Sequence, residues 1–216
     1  FTGLVRDKKG RKMSKQLGNS PDPLKLISEY GADSVRVGLM LCSSAGNDLL
    51  FDEKLCIQGK NFTNKIWNAY RLINSWTSSN DTEERKSEKD AILWYENKYN
   101  FILEVIENHF KFYRIKDAML SIYKLIWDDF CSIFLEAVKP EFNSPINSST
   151  LSKIFKIFQN NLKVLHPFMP FLTEELWEKI KDDSFKDPLI ISSWPKNKKY
   201  NKLIINNFEF SISIIS

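Results

Sequence analysis

Cysteine is scarce in this sequence, and its spacing does not suit a metal or a disulfide framework. The three cysteines, Cys42, Cys56 and Cys131, lie far apart, and no two of them have Cys-x-x-Cys spacing. Disulfide frameworks and structural zinc sites both need cysteines in sets with defined spacing. We therefore predict that the three thiols are small buried apolar groups, and that this segment binds no metal.

Histidine is scarcer still. Neither His109 nor His166 has a carboxylate or a cysteine at ligand spacing, so we interpret both as packing or capping residues. The adjacent acids Asp128-Asp129 and Glu174-Glu175 could suggest acid–base chemistry. Neighbours on a helix point in different directions, however, so we interpret them as capping residues and surface ion pairs.

Long apolar runs are also absent. No eighteen consecutive residues are apolar, and the first residues do not form a basic-then-apolar leader. We therefore expect neither a membrane span nor secretion, and we expect the protein to be cytoplasmic. The 216 residues are 43% apolar, which is enough for a sizeable core and favours one domain with a smaller appendage. The net charge of +4 is modest, so composition alone does not indicate a nucleic-acid binder.

The most informative segment is a short basic loop, residues 8–19, which we call the lysine loop. It contains Lys12-Met13-Ser14-Lys15-Gln16 between glycines. When a nucleotide α-phosphate is attacked, ammonium groups aimed at the non-bridging oxygens stabilise the transition state more than the ground state. Lysine suits this role because it is a compact charge on a flexible stem. Taken alone, the pattern Lys-x-x-Lys fits a solvated basic turn better than a catalytic loop.

The residues after the loop reverse this preference. Asp22-Pro23 fits a helix N-cap and first helical position, Gly31 fits a helix stop, and a second short helix is predicted over 32–41. The order Lys-Met-Ser-Lys, Leu-Gly-Asn, Asp-Pro and Tyr-Gly-Ala-Asp followed by an arginine resembles the second nucleotide-binding element of the class I aminoacyl-tRNA synthetases.

This resemblance implies roles for individual residues of the loop. Lys12 and Lys15 would bind the phosphates of ATP, which carries its own Mg²⁺, and Lys15 is the stronger candidate. Ser14 would be part of the same catalytic loop. Gln16 stands where the family usually has serine, a departure that leaves both lysines and Ser14 in place.

Three further segments resemble the valyl branch of that family, namely Asn61–Arg71, Trp127–Pro140 and His166–Trp177. The branch attaches valine to its tRNA with ATP, so the resemblance implies a ligase acting on ATP, valine and a valine-accepting tRNA. We expect a monomer, and we expect this fragment alone to be inactive, since the His-Ile-Gly-His element, valine pocket and editing domain are missing from it. Another class I synthetase (isoleucyl or leucyl) and a stand-alone helical RNA-binding module remain alternatives.

Apolar residues recur at three- and four-residue intervals from residue 53 onwards, which predicts amphipathic helices. We predict helices over 53–76, over 114–138, over 151–166, and from Thr173 with its acids in the first turn. A further helix, with apolar residues from Ile92 to Phe110 on its face, follows an exposed linker at 77–90. Such helices bury their apolar stripes as an antiparallel bundle. We expect four large aromatic residues to pack in its core rather than to stack on RNA: Trp67, Trp127, Phe130 and Trp177.

The resemblance implies a mainly α chain. In it the bundle would be the anticodon-binding domain and would follow the tail of a Rossmann-like catalytic domain. We predict the catalytic-domain tail over 1–52, including a connector at 43–48, then the bundle over 53–195. Residues 196–216 would start a C-terminal extension. Its apolar residues alternate as in a strand, but the resemblance implies a helix leading to a coiled-coil arm, and we expect a helix.

One face of the 53–76 helix carries the candidate RNA contacts. Asn64, Asn68 and Arg71 are spaced by four and three residues and so lie on one side, with Lys65 beside them. Amides read the edges of unpaired bases and guanidinium planes stack on their faces. We predict that these four residues bind tRNA, with Arg71 stacking on the anticodon. The alternative is a solvated polar face.

Overall fold

The computed structural model describes residues 3–42, 47–181 and 187–215. Of the predicted connector, residues 43–46 lie outside this description. The chain is mainly helical, as predicted. The elements in order are β1 (Val5–Arg6), α1 (Pro23–Tyr30), α2 (Ala32–Cys42), β2 (Leu49–Leu50), α3 (Lys54–Asn74), β3 (Ser78–Ser79), α4 (Lys86–Lys111), α5 (Ile115–Lys124), a π-helical segment (Leu125–Phe134), α6 (Leu135–Val138), β4 (Ile146–Asn147), α7 (Ser148–Leu165), α8 (Pro170–Ile180), a 3₁₀ turn (Leu189–Ile191) and α9 (Lys202–Ile215). Within the described ranges, none of the helices is both long and apolar enough to cross a membrane.

The N-terminal part is a small strand pair followed by two short helices. β1 pairs in parallel with β2, and Arg6 also forms an antiparallel bridge with Lys12, which brings the lysine loop back over β1. The predicted helix signals of α1 are confirmed. The Asp22 carboxylate accepts a hydrogen bond from the backbone N–H of Leu24 (3.0 Å), and Gly31 ends the helix at a φ of 87° that favours glycine.

The remaining helices form the predicted bundle. The inward stripes of α3, α4, the α5-to-α6 helix and α7 share one apolar core, whose largest members are fully buried. The predicted core aromatics lie there too: Phe130 and Trp177 are buried, and Trp67 and Trp127 are partly buried against it. The core contains these large buried side chains: Trp94, Tyr95, Phe62, Phe134 and Phe158.

The third helix of the bundle differs from the regular helix that the sequence predicts. Between α5 and α6, ten residues wind as a π-helix, and the Ser132 hydroxyl donates five residues back to the Trp127 carbonyl (2.9 Å). The wider turns carry large rings on successive turns. Trp127 stacks on Tyr123 with ring centroids 5.5 Å apart, and Phe130 stacks on Phe134 at 5.6 Å. Runs of π-helix are rare, so tertiary packing has overridden the local preference here.

Two other local predictions are wrong. The fifth helix begins at Pro170, not at Thr173, so the Glu174 carboxylate lies outside the first turn and accepts from the backbone N–H of Leu189 (2.7 Å). The predicted linker at 77–90 is mostly exposed, but it contains β3 and the first turn of α4. There Glu88 is only 2% exposed and accepts from the backbone N–H of Arg85 (2.8 Å).

The C-terminal segment is helical, as expected, and packs along α4. The ring of Phe208 stacks on that of Trp94 with centroids 4.7 Å apart, and Lys98 forms a 2.7 Å ion pair with Glu209. Asp129 approaches the same ammonium at 3.9 Å with a side chain only 15% exposed, so its assignment to a surface ion pair is wrong. Burial raises the pKa of Asp129 to about 6, although Lys98 acts to lower it.

A buried joint ties α2 to the start of α8. The Asp33 carboxylate, 6% exposed as a residue, accepts from the backbone N–H groups of Leu172 (2.6 Å) and Phe171 (3.4 Å), which are free donors in the first turn of α8. One turn later, Arg36 donates to the carbonyls of Pro167 (3.0 Å) and Phe168 (3.2 Å). Hydrogen bonds from the side chains of Asp33 and Arg36 to backbone groups therefore hold the lysine-loop half and the bundle together.

Candidate functional site

The lysine loop is held in shape by Asn19. The side-chain oxygen of Asn19 accepts from the backbone N–H of Ser14 (2.9 Å), while its amide nitrogen donates to the Lys12 carbonyl (3.2 Å) and to the Asp7 carboxylate (3.1 Å). The hydrogen bond that Asn19 donates to Asp7, with others from Arg11 and from the backbone N–H of Lys9, lowers the pKa of Asp7. One amide thus fixes the backbone on both sides of Met13, and the loop is preorganised rather than disordered.

The charges around the loop divide into paired and unpaired groups. Lys8 forms an ion pair with Asp52 (2.9 Å), and Arg11 forms one with Asp7 (2.8 Å). Lys12 and Lys15 are exposed, and within residues 3–42, 47–181 and 187–215 neither ammonium has a carboxylate within salt-bridge distance. The two lysines that the sequence singles out are therefore left available for an anion.

An open cavity of about 400 Å³ lies beside the loop. Lys12 is among the polar residues that line it. Most of the lining residues are apolar, including Val5, Met13, Leu26 and Phe51. A cation in the lining of an apolar hollow suits a ligand with an anionic group and a less polar body. The geometry is thus compatible with a nucleotide phosphate at Lys12, and the role of both lysines stays a prediction.

Ser14 has an observed structural contact. Its hydroxyl oxygen accepts from the backbone N–H of Leu17 (3.2 Å), which closes the turn after the second lysine. Such Ser turns stabilise loops without contacting a ligand. A catalytic part for Ser14 stays a prediction, and shaping the turn at Lys15 is what the contact itself explains.

The candidate RNA contacts lie on α3 as the spacing predicts. Asn64, Asn68 and Arg71 are all exposed on the face away from the core. Lys65 is half-buried at the edge of that face, where its ammonium lies 5.4 Å from the centroid of the Trp127 ring. A cation over an indole face is attracted to it, so Lys65 is partly engaged inside the bundle. RNA binding by any of the four stays a prediction.

A second open cavity, of about 440 Å³, begins one turn beyond Arg71. Its lining includes Ser75, Trp76, Lys139 and Phe142, so it combines two rings with a cation. The ring of Phe142 is 92% exposed. The sequence pattern does not predict this hollow, because its two sides come from segments more than sixty residues apart.

The remaining titratable groups have structural surroundings. His166 follows the last residue of α7, and its Nδ1 lies 2.7 Å from the Thr173 hydroxyl, which agrees with a packing or capping role. Burial lowers the pKa of His166. The three cysteines are free, and Cys56 and Cys131 are buried as predicted, whereas Cys42 is only partly buried, so the prediction of burial is wrong for Cys42. Among the residues described, no cluster of three His, Cys, Asp or Glu side chains could hold a metal ion.

Residues that sequence reasoning missed are mainly those that position the loop and the bundle. Asn19 lies in the quoted Leu-Gly-Asn pattern, so a cap for the preceding turn could have been expected from its residue type. Asp33 and Arg36 also lie in a quoted pattern, Tyr-Gly-Ala-Asp followed by an arginine, but their structural role could not be predicted, because their partners lie 131 to 139 residues further along the chain.

Comparisons with known proteins match the two parts of the chain separately. Residues 93–216 match the anticodon-binding domain of tRNA ligase, and residues 1–52 match the class I tRNA synthetases of the I, L, M and V group. The whole chain is 53% identical to a valine–tRNA ligase of Christiangramia forsetii over 216 residues, and 45% identical to that of Bacteroides thetaiotaomicron over 218. For the valine–tRNA ligase of Thermotoga maritima the identity is 38% over 193 residues, which is 89% of the chain.

The chain spans about a quarter of the length of these relatives: 25%, 25% and 22%, respectively. Among solved structures, it superposes on the leucyl enzyme in the ternary complex of Agrobacterium radiobacter K84 agnB2 LeuRS with tRNA and LeuAMS. The TM-score is 0.64 at 19% identity, covering 94% of this chain and 24% of the other. At that identity the similarity concerns the fold.

Proposed function

The chain belongs to the valine–tRNA ligases of class I, as the segment that joins the end of the catalytic domain to the anticodon-binding domain, and from this we propose the following roles in the whole enzyme. The complete protein attaches valine to its tRNA at the expense of ATP. This segment contributes cations for the ATP phosphates at one end and tRNA contacts at the other.

In the activation step, a valine carboxylate oxygen attacks the α-phosphorus of ATP and pyrophosphate leaves. ATP supplies the transferred adenylyl group and the Mg²⁺ it carries. The ammonium groups of Lys12 and Lys15 stabilise the charge that develops on the phosphate oxygens. Asn19 holds the backbone between the two ammonium groups, so that less reorganisation is needed when the nucleotide enters.

In the tRNA-binding step, the exposed face of α3 contacts the anticodon. Arg71 is the principal residue, because its planar guanidinium can stack on a base and its helix position adjoins the hollow lined by Trp76 and Phe142. Asn64 and Asn68 supply amide groups on the same face. The half-buried Lys65 contributes charge from the edge rather than a direct base contact.

The observation that carries the proposal is the separation of charges in the lysine loop. Lys8 and Arg11 are neutralised by carboxylates, whereas Lys12 and Lys15, which stand at the two lysine positions of the family motif, are exposed on a loop fixed by Asn19. Lys9 is exposed too and has no carboxylate within salt-bridge distance in the described residues, so the motif positions and the backbone that Asn19 fixes are what distinguish Lys12 and Lys15 from it.

The test is valine-dependent exchange of pyrophosphate into ATP by the full-length enzyme. Lys15→Ala should slow exchange about 10²-fold or more, since loss of one preorganised charge donor costs roughly 3 kcal/mol. Lys9→Ala, an exposed lysine of the same loop, is the matched control and should change the rate by less than about threefold. Equal losses in the two variants, or a normal rate for Lys15→Ala, would refute the role of Lys15.

A further inference from the structure

The turn between α4 and α5, residues 111–116, leaves two large rings exposed on the surface of this segment, and we call it the aromatic turn. Phe112 is 69% exposed and Tyr113 is 81% exposed. Lys111 and Arg114 flank them and are also exposed, and Lys116 follows. The Arg114 guanidinium lies 6.0 Å from the centroid of the Phe112 ring. The aromatic turn thus places two adjacent exposed rings beside three cations.

The backbone of the aromatic turn is fixed, although its side chains are exposed. The backbone N–H of Tyr113 donates to Phe110 (3.0 Å), and that of Arg114 donates to His109 (2.9 Å), which closes the end of α4. Tyr113 has a φ of 55°, in the left-handed region. That conformation after a helix normally belongs to glycine, since a bulky side chain is disfavoured there. A tyrosine therefore stands where glycine would suit the backbone better, and what it adds to the turn is an exposed ring.

The charges of the turn are largely unneutralised. Arg114 approaches Asp117 only at 3.9 Å, in a pair whose two side chains are about half exposed. In the part of the chain that the structure describes, no carboxylate lies within salt-bridge distance of Lys111 or Lys116. Rings that stack on bases beside cations that contact phosphates are the usual way to hold single-stranded nucleic acid.

The turn lies far from the predicted anticodon face. Where the two helices meet, Tyr123 contacts Phe62 with ring centroids 4.6 Å apart, and Lys65 contacts Trp127, so α3 and the α5 helix run in the same direction. Arg71 lies nine residues after that contact and the turn lies ten residues before it. At 1.5 Å per residue the two are roughly 30 Å apart along the bundle.

We propose that the aromatic turn is a second tRNA-binding site, at which Tyr113 and Phe112 stack on an unpaired base outside the anticodon while Lys111 and Arg114 contact the neighbouring phosphates. The proposal rests on the proposed function in that the ligand is the same tRNA. It adds a contact at the opposite end of the bundle, which makes the grip on tRNA bipartite. Stacking tolerates any base, so the site contributes affinity and placement rather than sequence selection.

Tyr113→Gly in the full-length enzyme separates binding from folding. Glycine suits the left-handed φ, so thermal stability should stay unchanged or rise, whereas tRNA affinity should fall about tenfold with the loss of one stacked base. Phe210→Ala is the matched control, because Phe210 is 68% exposed but lacks the flanking cluster of cations, and it should leave affinity unchanged. Arg114→Ala should reduce the slope of log affinity against log salt by about 0.7 to 0.9.

The anticodon provides the second arm of the test. A tRNA with a substituted anticodon should lose the same factor of affinity on Tyr113→Gly as the cognate tRNA does, because the contact lies elsewhere. Hydroxyl-radical footprints should show lost protection outside the anticodon loop. Wild-type tRNA affinity in Tyr113→Gly, or a variant that loses stability along with affinity because the ring packs on another part of the enzyme, would overturn the site. If the wild-type enzyme itself failed to bind tRNA, the proposed function would be wrong instead.

Discussion

Replacing Asp129 by asparagine should stabilise the protein at neutral and basic pH. The carboxyl is enclosed between α4, the π-helical segment and α9, and burial raises its pKa from the ordinary 3.8 to about 6. The native state therefore binds this proton more tightly than the unfolded state does. Native stability falls as the pH rises from about 4 to about 6, and the full penalty persists above that range.

The size of the effect follows from the pKa difference. A change from 3.8 to about 6 corresponds to about 3 kcal/mol, at ~1.4 kcal/mol for each pH unit. Asparagine has the shape of the carboxyl but no charge, and Lys98 keeps its 2.7 Å ion pair with Glu209. Asp129→Asn should therefore raise the free energy of unfolding by up to about 3 kcal/mol near pH 8, with little effect near pH 4.

Urea unfolding of the wild type and the variant at about pH 4, 6 and 8 provides the measurement, with circular dichroism as the probe. Asp128→Asn is the control, since Asp128 is the exposed neighbour and its replacement should change stability by less than about 0.5 kcal/mol. An asparagine variant less stable than wild type at pH 8, or a difference that does not change with pH, would show that Asp129 contributes a favourable ion pair and that the reasoning from burial is wrong.

Two further predictions concern residues that position the site. Asn19→Ala removes three hydrogen bonds of the lysine loop. The KM for ATP in pyrophosphate exchange should therefore rise about tenfold, while the Kd for tRNA is unchanged. A normal KM would mean that the loop does not need these hydrogen bonds. Asp33→Ala leaves two backbone donors of α8 without their acceptor. The free energy of unfolding measured in urea should fall by about 2 kcal/mol, which is more than the loss in Asp33→Asn. Equal stability of the wild type and the alanine variant would exclude a structural role for the joint.

The features that the sequence predicts well are local in origin. Asp22 and Gly31 bound α1 because a cap and a left-handed stop are properties of a few neighbouring residues. The apolar stripe of α3 follows from helical periodicity, and its burial in a bundle follows from the number of such stripes. In the C-terminal segment, family resemblance outweighs the two-residue alternation, and α9 is helical because Phe208 packs on α4 rather than in a sheet.

The features that were missed depend on contacts between distant parts of the chain. The Asp33 joint reaches from α2 to α8, and the burial of Asp129 becomes visible only when Lys98 and Glu209 are brought beside it. The π-helical segment forms because ring packing overrides local preference. For Tyr113, residue type gives no warning of a left-handed backbone.

We propose that the exposed face of α3 binds the anticodon of tRNA, with Arg71 as its principal contact. The most direct measurement is the affinity of full-length wild type and Arg71→Ala for the cognate tRNA and for one with a substituted anticodon, with the fold checked by circular dichroism. We expect Arg71→Ala to lose about 1–3 kcal/mol on the cognate tRNA and to discriminate less between the two, because stacking on the anticodon is lost. Equal affinity of mutant and wild type for the cognate tRNA, with the bundle intact, would contradict the account and leave α3 with a solvated polar face.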